Sequence, residues 1–283
     1  MPSIAVIGSV NLDIVAKVAR LPKPGETVTG AELARFPGGK GANQALAAKR
    51  LGADVCLIAR VGDDAAADEA LALLREGGVD LEQCRAVASV ATGTALIAVS
   101  PSGENHIVVA PGANRMLTED DAGAVEADAL ICQLEVPVPV VVRAAKTFTG
   151  FFCVNLAPAA EIDVTVLQRA DLVVVNETES EWYGGSLKAC DGYVATTRGG
   201  GIATLERNGK IVAEASPPTV VAIDTTGAGD TFTAALTVAL VEGQPPDEAL
   251  QFACTAGALA ATAMGAQPSL PSRHAVEKLE SGE

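Results

Sequence analysis

Apolar residues run unbroken from Ile4 to Ile7 and stop at Gly8, the pattern of a strand buried on both faces. Past Gly8 the period becomes two. Val10, Leu12 and Ile14 take one face and Asn11 and Asp13 the other, so two polar side chains aim at one place. The stretch "LPKPGETVTG" reads as a turn followed by extended chain. Ala42 to Leu51 reads as a helix stopped by Gly52, then come the strand "VCLIARVG" and a helix over Ala65 to Arg75. Strands alternating with helices predict a three-layer α/β fold, a mostly parallel sheet with helices on both faces.

The segment "TGTALIAVSPSGENHIVVAPGAN" breaks that rhythm: two β-like runs flank a turn at Pro101-Ser102-Gly103, with no room for a crossover helix. It predicts a hairpin standing away from the main sheet and joined by the extended chain after Asp13. The alternation then resumes with strand "ALICQLE", helix Val138 to Lys146, strand "FFCVNL", a short helix near Val164 to Arg169 and strand "LVVVN". "GYVATTRGG" is a strand and turn, and "GIATLERNGKIVAEA" a hairpin through Asn208-Gly209. Helices over Ala228 to Glu242 and Pro246 to roughly Thr262 follow, with a last amphipathic piece at His274 to Leu279. No repeat or linker divides the chain. Residues 1–283 are expected to form one domain, with excursions at about 10–37 and 88–110 making a small sheet of their own.

Charge narrows the partners. The 35 Asp and Glu against 20 Lys and Arg give a net −15, which argues against a nucleic-acid surface but leaves room for a small anionic substrate. Six cysteines are scattered without a CxxC and several sit in apolar runs, as reduced core residues of a cytoplasmic protein would. Two histidines, His106 and His274, are too few for a His-rich metal site. Neither a leader-like N-terminus nor an uncharged run long enough to span a membrane is visible.

Two glycine-rich stretches carry the candidate chemistry. In "IDTTGAGDTF", Gly227 and Gly229 precede a helix whose first N–H groups lack helical partners, and the helix dipole adds to their pull on an anion. Asp230 in that first turn suits a helix cap as well as it suits a proton acceptor beside the anion. The stretch is not a GxxxxGK[ST] phosphate loop. In "FPGGKGANQALAAKRLG", glycines, Lys40 and Asn43 crowd the mouth of another helix, which fits either a sharp turn or a polar ligand lying against the backbone.

"GSVNLD", "PGGKGANQA" and "DTTGAGDTF", with "PGETVTG", "GENHIVVAPGAN", "QLEVP", "NETE" and "GAQPSLP" between and after them, resemble in order the signatures of the ribokinase family of carbohydrate kinases, from Ile4 to about Pro271. The resemblance implies a Rossmann-like fold with a β-sheet lid, and ATP-dependent phosphorylation of D-ribose at its 5-hydroxyl. Another sugar or a nucleoside as substrate stays open, as does a non-catalytic binding protein. It implies that Asn11, Asp13, Gly39, Lys40, Asn43 and Glu135 bind the sugar and that Asp230 is the catalytic base. The backbone of Gly227, Ala228 and Gly229 becomes an anion hole. Asn176, Thr197, Gly199 and Gly201 match the nucleotide site, and Asn176 and Glu179 the motif that organises Mg²⁺. Asp224, Thr226, Ala260, Ala263, Gly265 and Ser269 match a monovalent-cation site for K⁺. A homodimer through the lid sheets is also implied.

The chain departs from the family between "NETE" and "GYVATTRGG", where "SEWYGGSLKACD" is shorter than the usual helix-containing crossover. A short turn-and-helix or an extended loop must then join parallel neighbours, and Trp182 and Tyr183 are candidates to cover the apolar face left behind. Arg198 reads as solvated, His106 as a half-exposed strand residue, and Lys40 as an anchor or part of the site's electrostatics.

Overall fold

The computed structural model describes residues 1–101 and 104–282. Nine strands form the main sheet in the order Lys210–Ala215, Ala203–Arg207, Tyr193–Thr197, Leu172–Asn176, Phe151–Asn155, Ala129–Gln133, Ser3–Ile7, Asp54–Gly62 and Cys84–Val87. Pairing is parallel from Cys84–Val87 through to Tyr193–Thr197, and the last two pairings are antiparallel. Period two divides the core. Ile4, Val6, Ala129 and Ile131 face one apolar cluster with helices Lys40–Arg50, Ala228–Val241 and Pro246–Ala260. Ala5, Ile7, Leu130 and Cys132 face the other, with helices Val138–Thr147 and Val164–Arg169. A sheet apolar on both faces needs helices on both faces, and the fold supplies them.

A second sheet of four strands stands apart, in the order Glu32–Gly38, Asn11–Lys17, Gly93–Val99 and Asn105–Ala110. Its outer pairings are antiparallel and its central one parallel. Asn11–Lys17 therefore leads from the edge of the main layers into the small sheet. The turn expected at Pro101-Ser102-Gly103 lies partly outside the described residues.

Several local expectations shift. The helix expected over Ala65 to Arg75 is two, Ala65–Ala70 and Ala72–Glu76, meeting at Leu71. The edge strand Cys84–Val87 and the helical turn Ala266–Ser269 carry too little apolar periodicity to be seen in the sequence. The shortened crossover is a compact pair, helix Glu177–Tyr183 and a 3₁₀ turn Gly184–Ala189. It still returns Tyr193 to parallel register with Leu172. Tyr183 is buried there and donates to the Ala160 carbonyl at 2.8 Å, while Trp182 stays half in solvent against its ring. Arg198 is not simply solvated: the turn after Thr197 folds it back to donate to the Ile202 carbonyl at 3.0 Å. His106 is exposed on Asn105–Ala110.

Candidate active site

The mouths of the two glycine-flanked helices face different fates. Helix Lys40–Arg50 has its first donors taken by the protein itself. Lys40 N–H goes to Glu135 Oε2 at 3.1 Å, Gly41 N–H to Ser9 Oγ at 3.3 Å and Ala42 N–H to the Ser9 carbonyl at 2.9 Å. The chain comes very close there. A Cβ on Gly41 would lie 2.5 Å from the Gly8 backbone, and one on Gly39, at φ 91°, 2.7 Å from Asn11 N. Packing of this helix on the turn after the first strand thus demands both glycines.

Helix Ala228–Val241 opens instead onto a cleft. Gly227, at φ 83°, is its left-handed N-cap, Ala228 N–H is held by the Thr225 carbonyl at 3.2 Å, and the space a Cβ would take on Gly229 is empty. Unpaired first-turn N–H groups at an open, glycine-lined mouth are what an anion can use.

Asp230 is buried at that mouth. Its Oδ2 accepts from Asn43 Nδ2 at 2.8 Å and its Oδ1 from Gln44 Nε2 at 3.0 Å. Burial pushes its carboxyl above the ordinary carboxylate range, opposed by the charge of Lys40 and by the two amides. For the half-buried Lys40, burial alone would lower the pKa. The carboxylates of Asp230, Glu135, Glu179 and Asp13 outweigh it and raise the ammonium above its usual value. Lys40 is thus a fixed cation among acids, not a nucleophile. Glu135 also accepts from Ser9 Oγ at 2.5 Å. Asn11 is buried, its Oδ1 accepting from Asn114 Nδ2 at 2.8 Å. Asn114 is itself fixed by the Val10 backbone at 2.9 and 3.2 Å, so Asn11 is left to present its NH₂.

Two clefts meet beside this centre. One, about 530 Å³, is lined by Asp13, Phe36, Ile97 and Ile107 of the small sheet and by the turn Ala222 to Thr226. The other, about 410 Å³, is lined by Thr197, Gly199, Gly201, Ala228 and Gly229. Ala222 and Thr225 border both, so a single turn is the wall between them. Asp224 fixes that turn, accepting from Thr226 N and Oγ1 at 3.0 and 2.6 Å and from Gly265 N at 2.9 Å. Ala260 ends helix Pro246–Ala260, Ala263 lies just beyond that helix, and Ser269 donates to the Ala266 carbonyl.

Asn176 and Glu179 form a reciprocal cap on helix Glu177–Tyr183. Asn176 Oδ1 accepts from Glu179 N at 2.9 Å, and Glu179 Oε2 from Asn176 N at 2.8 Å. Burial raises the Glu179 carboxyl, with Lys40 and the Asn176 backbone opposing. Sequence reasoning missed Ser9, Gln44, Asn114, Gln133 and Asn155. Ser9, Gln44, Asn114 and Gln133 stand inside the motifs that carry the resemblance without a role assigned to them, and Asn155 stands in none of them.

The chain matches the model of the pfkB family of carbohydrate kinases over residues 1–273. A ribokinase of Bacillus subtilis is 38% identical to it over 99% of each chain, and one of Haemophilus influenzae 36% identical over 96% of each. The structure of Arabidopsis thaliana ribokinase complexed with ribose and ATP superposes with a TM-score of 0.88, at 32% identity over 98% of both chains. The likeness in sequence and in fold runs along nearly the whole chain, and the chain belongs to the pfkB family of carbohydrate kinases.

Proposed function

We propose that this chain transfers the γ-phosphoryl group of ATP to the 5-hydroxyl of D-ribose. The observation that carries it is the position of Asp230: buried in the first turn of a helix whose mouth opens at Gly229 onto the second cleft, and held by Asn43 and Gln44 of the other glycine-flanked helix. The Arabidopsis relative's complex with ribose and ATP supports the choice of substrates. Ribose lies between the first cleft, which Asp13 lines, and the polar centre of Asn11, Gly39, Asn43 and Glu135, with Lys40 offsetting the carboxylates. ATP lies in the second against Asn176, Thr197, Gly199 and Gly201.

In the reaction the sugar oxygen forms a bond to the γ-phosphorus as the bond to the bridging oxygen breaks, its electron pair leaving with ADP. Asp230 accepts the hydroxyl proton and returns it to water. The N–H groups of Gly227 and Gly229 face the charge that moves, and that of Ala228 joins them once the Thr225 carbonyl releases it. The small sheet keeps water from the phosphoryl group.

Glu179, a hard oxygen donor within electrostatic reach of Asp230 and Lys40, fits Mg²⁺ held with Asn176 through water; the ion would mask phosphate charge. The oxygens around Asp224, Thr226, Ala260, Ala263, Gly265 and Ser269 fit K⁺, which would stiffen the turn carrying the anion hole. Among the described residues no helix is long and apolar enough to cross a membrane, and six free thiols fit the cytoplasm, where we place the enzyme as a homodimer joined through its small sheets.

Phosphorylation across ribose, deoxyribose, fructose, 2-keto-3-deoxygluconate, adenosine and inosine tests the reading. Ribose is expected at or near the top in kcat/KM, and a markedly better sugar or nucleoside would replace it. Asp230→Asn should leave ribose binding largely intact and cut turnover by about 10²-fold or more, the usual worth of positioned proton transfer. Near-normal turnover would remove Asp230 as the base.

A further inference from the structure

The side chain that touches Asp230 Oδ1 is not free to turn. Gln44 Nε2 donates to Asp230 Oδ1 at 3.0 Å and to Asn155 Oδ1 at 3.1 Å, while its Oε1 accepts from Gln133 Nε2 at 2.6 Å. Asn155 is oriented by the main chain, its Nδ2 donating to the Val174 carbonyl at 3.1 Å, which leaves its oxygen toward Gln44. All four side chains are buried. One backbone acceptor and one carboxylate therefore dictate the sense of the Gln44 amide: turned over, it would set its oxygen against both Asp230 and Asn155. Gln133 and Asn155 stand at the ends of adjacent strands of the main sheet, Cα partners in register. The network ties the candidate base to two adjacent strands of the main sheet.

Resting on the reading of Asp230 as proton acceptor, we infer that Gln44 is a positioning residue, which holds the Asp230 carboxylate in place and ionised with a neutral donor anchored to the sheet through Asn155 and Gln133. Neutrality matters chemically. A buried carboxylate needs donors to stay ionised, yet an arginine at this place would hold it so firmly that it took up protons poorly. An amide supports the ionised form before transfer and remains satisfied by Asn155 once Asp230 carries the proton.

Gln44→Met keeps the volume and loses the donor. It is expected to fold, to bind ribose within about threefold of the parent, and to move the acid limb of single-turnover phosphoryl transfer up by about one pH unit. At the parent's midpoint that shift is a loss of about fivefold. Gln44→Glu, isosteric but charged, should shift the limb further, since two carboxyls in contact resist joint ionisation. A purely structural role for Gln44 would lower the melting temperature, or the rate at every pH alike, and leave the limb in place. Q44M with the parent's acid limb overturns the inference; if Q44M is recovered unfolded, an unshifted limb in Q44E does so. Asp230→Asn, run alongside, separates the two ideas: normal turnover there overturns the base itself, whereas a dead D230N with an unshifted Q44M overturns the role of Gln44 alone.

Discussion

Asp13 is buried on Asn11–Lys17, where removal from water, and then the negative charge of Glu135, Asp230 and Asp224, push its carboxyl from an ordinary 3.8 up to about 7, with Lys40 opposing. In the folded chain it therefore holds a proton that the unfolded chain has already given up. Between about pH 4 and about pH 7 the native state binds more protons, so its stability falls as pH rises through that window. Asp13→Asn should remove this penalty. In the unliganded protein it should raise unfolding free energy at pH 8 by an amount on the order of 4 kcal/mol, and flatten the dependence from pH 4 to 7. Denaturant titration at several pH values checks this, and a variant less stable at pH 8 would contradict it. The same variant should bind ribose more weakly, the trade expected when a strained site is relaxed. At this scale the sequence exposed what a single strand can show: the alternation that puts Asn11 and Asp13 on one face is legible without a fold. Gln44, Gln133 and Asn155 were not legible together, because their meeting depends on a helix and two strands separated by up to 111 residues.

Elements whose periodicity is complete were read correctly to within a residue or two, and the failures share a cause. Leu71 breaks a helix without a glycine or proline to mark it, and Ala266–Ser269 spans only four residues. The crossover Glu177–Ala189 is shortened to a helix and a 3₁₀ turn, and a reciprocal cap by Asn176 and Glu179 starts it where length alone left loop and helix equally open. The turn from Ala222 to Thr226 is the element on which the K⁺ reading depends. Asp224 is bonded to Thr226 and Gly265 across it, and it walls both clefts. A cation bound to its carbonyls would touch neither substrate and act only by fixing the turn that leads into the anion hole. Turnover should then be faster in K⁺ than in Na⁺ at constant ionic strength, and Asp224→Ala should blunt the difference. Equal rates in K⁺, Na⁺ and tetramethylammonium would exclude the ion.

At the scale of the whole molecule, the small sheet has two unlike faces. Its register places Asp13, Ile97 and Ile107 on the side lining the 530 Å³ cleft. Leu33, Leu96 and Val108 fall on the opposite side, where they are 68%, 50% and 64% exposed. A sheet with one face committed to a site and an apolar outer face in water loses the burial that usually holds a few strands together. Helix Ala65–Ala70 packs against the strands Glu32–Gly38 and Asn11–Lys17 and is tied to the first by the Arg35–Glu69 ion pair. A second copy presenting the same patch about a two-fold axis would bury both outer faces at once and hold both lids over their clefts. Light scattering at micromolar concentration should accordingly give twice the 28.6 kDa chain mass. Val108→Asp puts a charge in that patch, on the edge strand Asn105–Ala110, without touching the cleft, so it should yield single chains with weakened ribose affinity, because a lid without its partner closes less often. A parent protein that scatters as 28.6 kDa while fully active would overturn the dimer and leave the lid to close on its own.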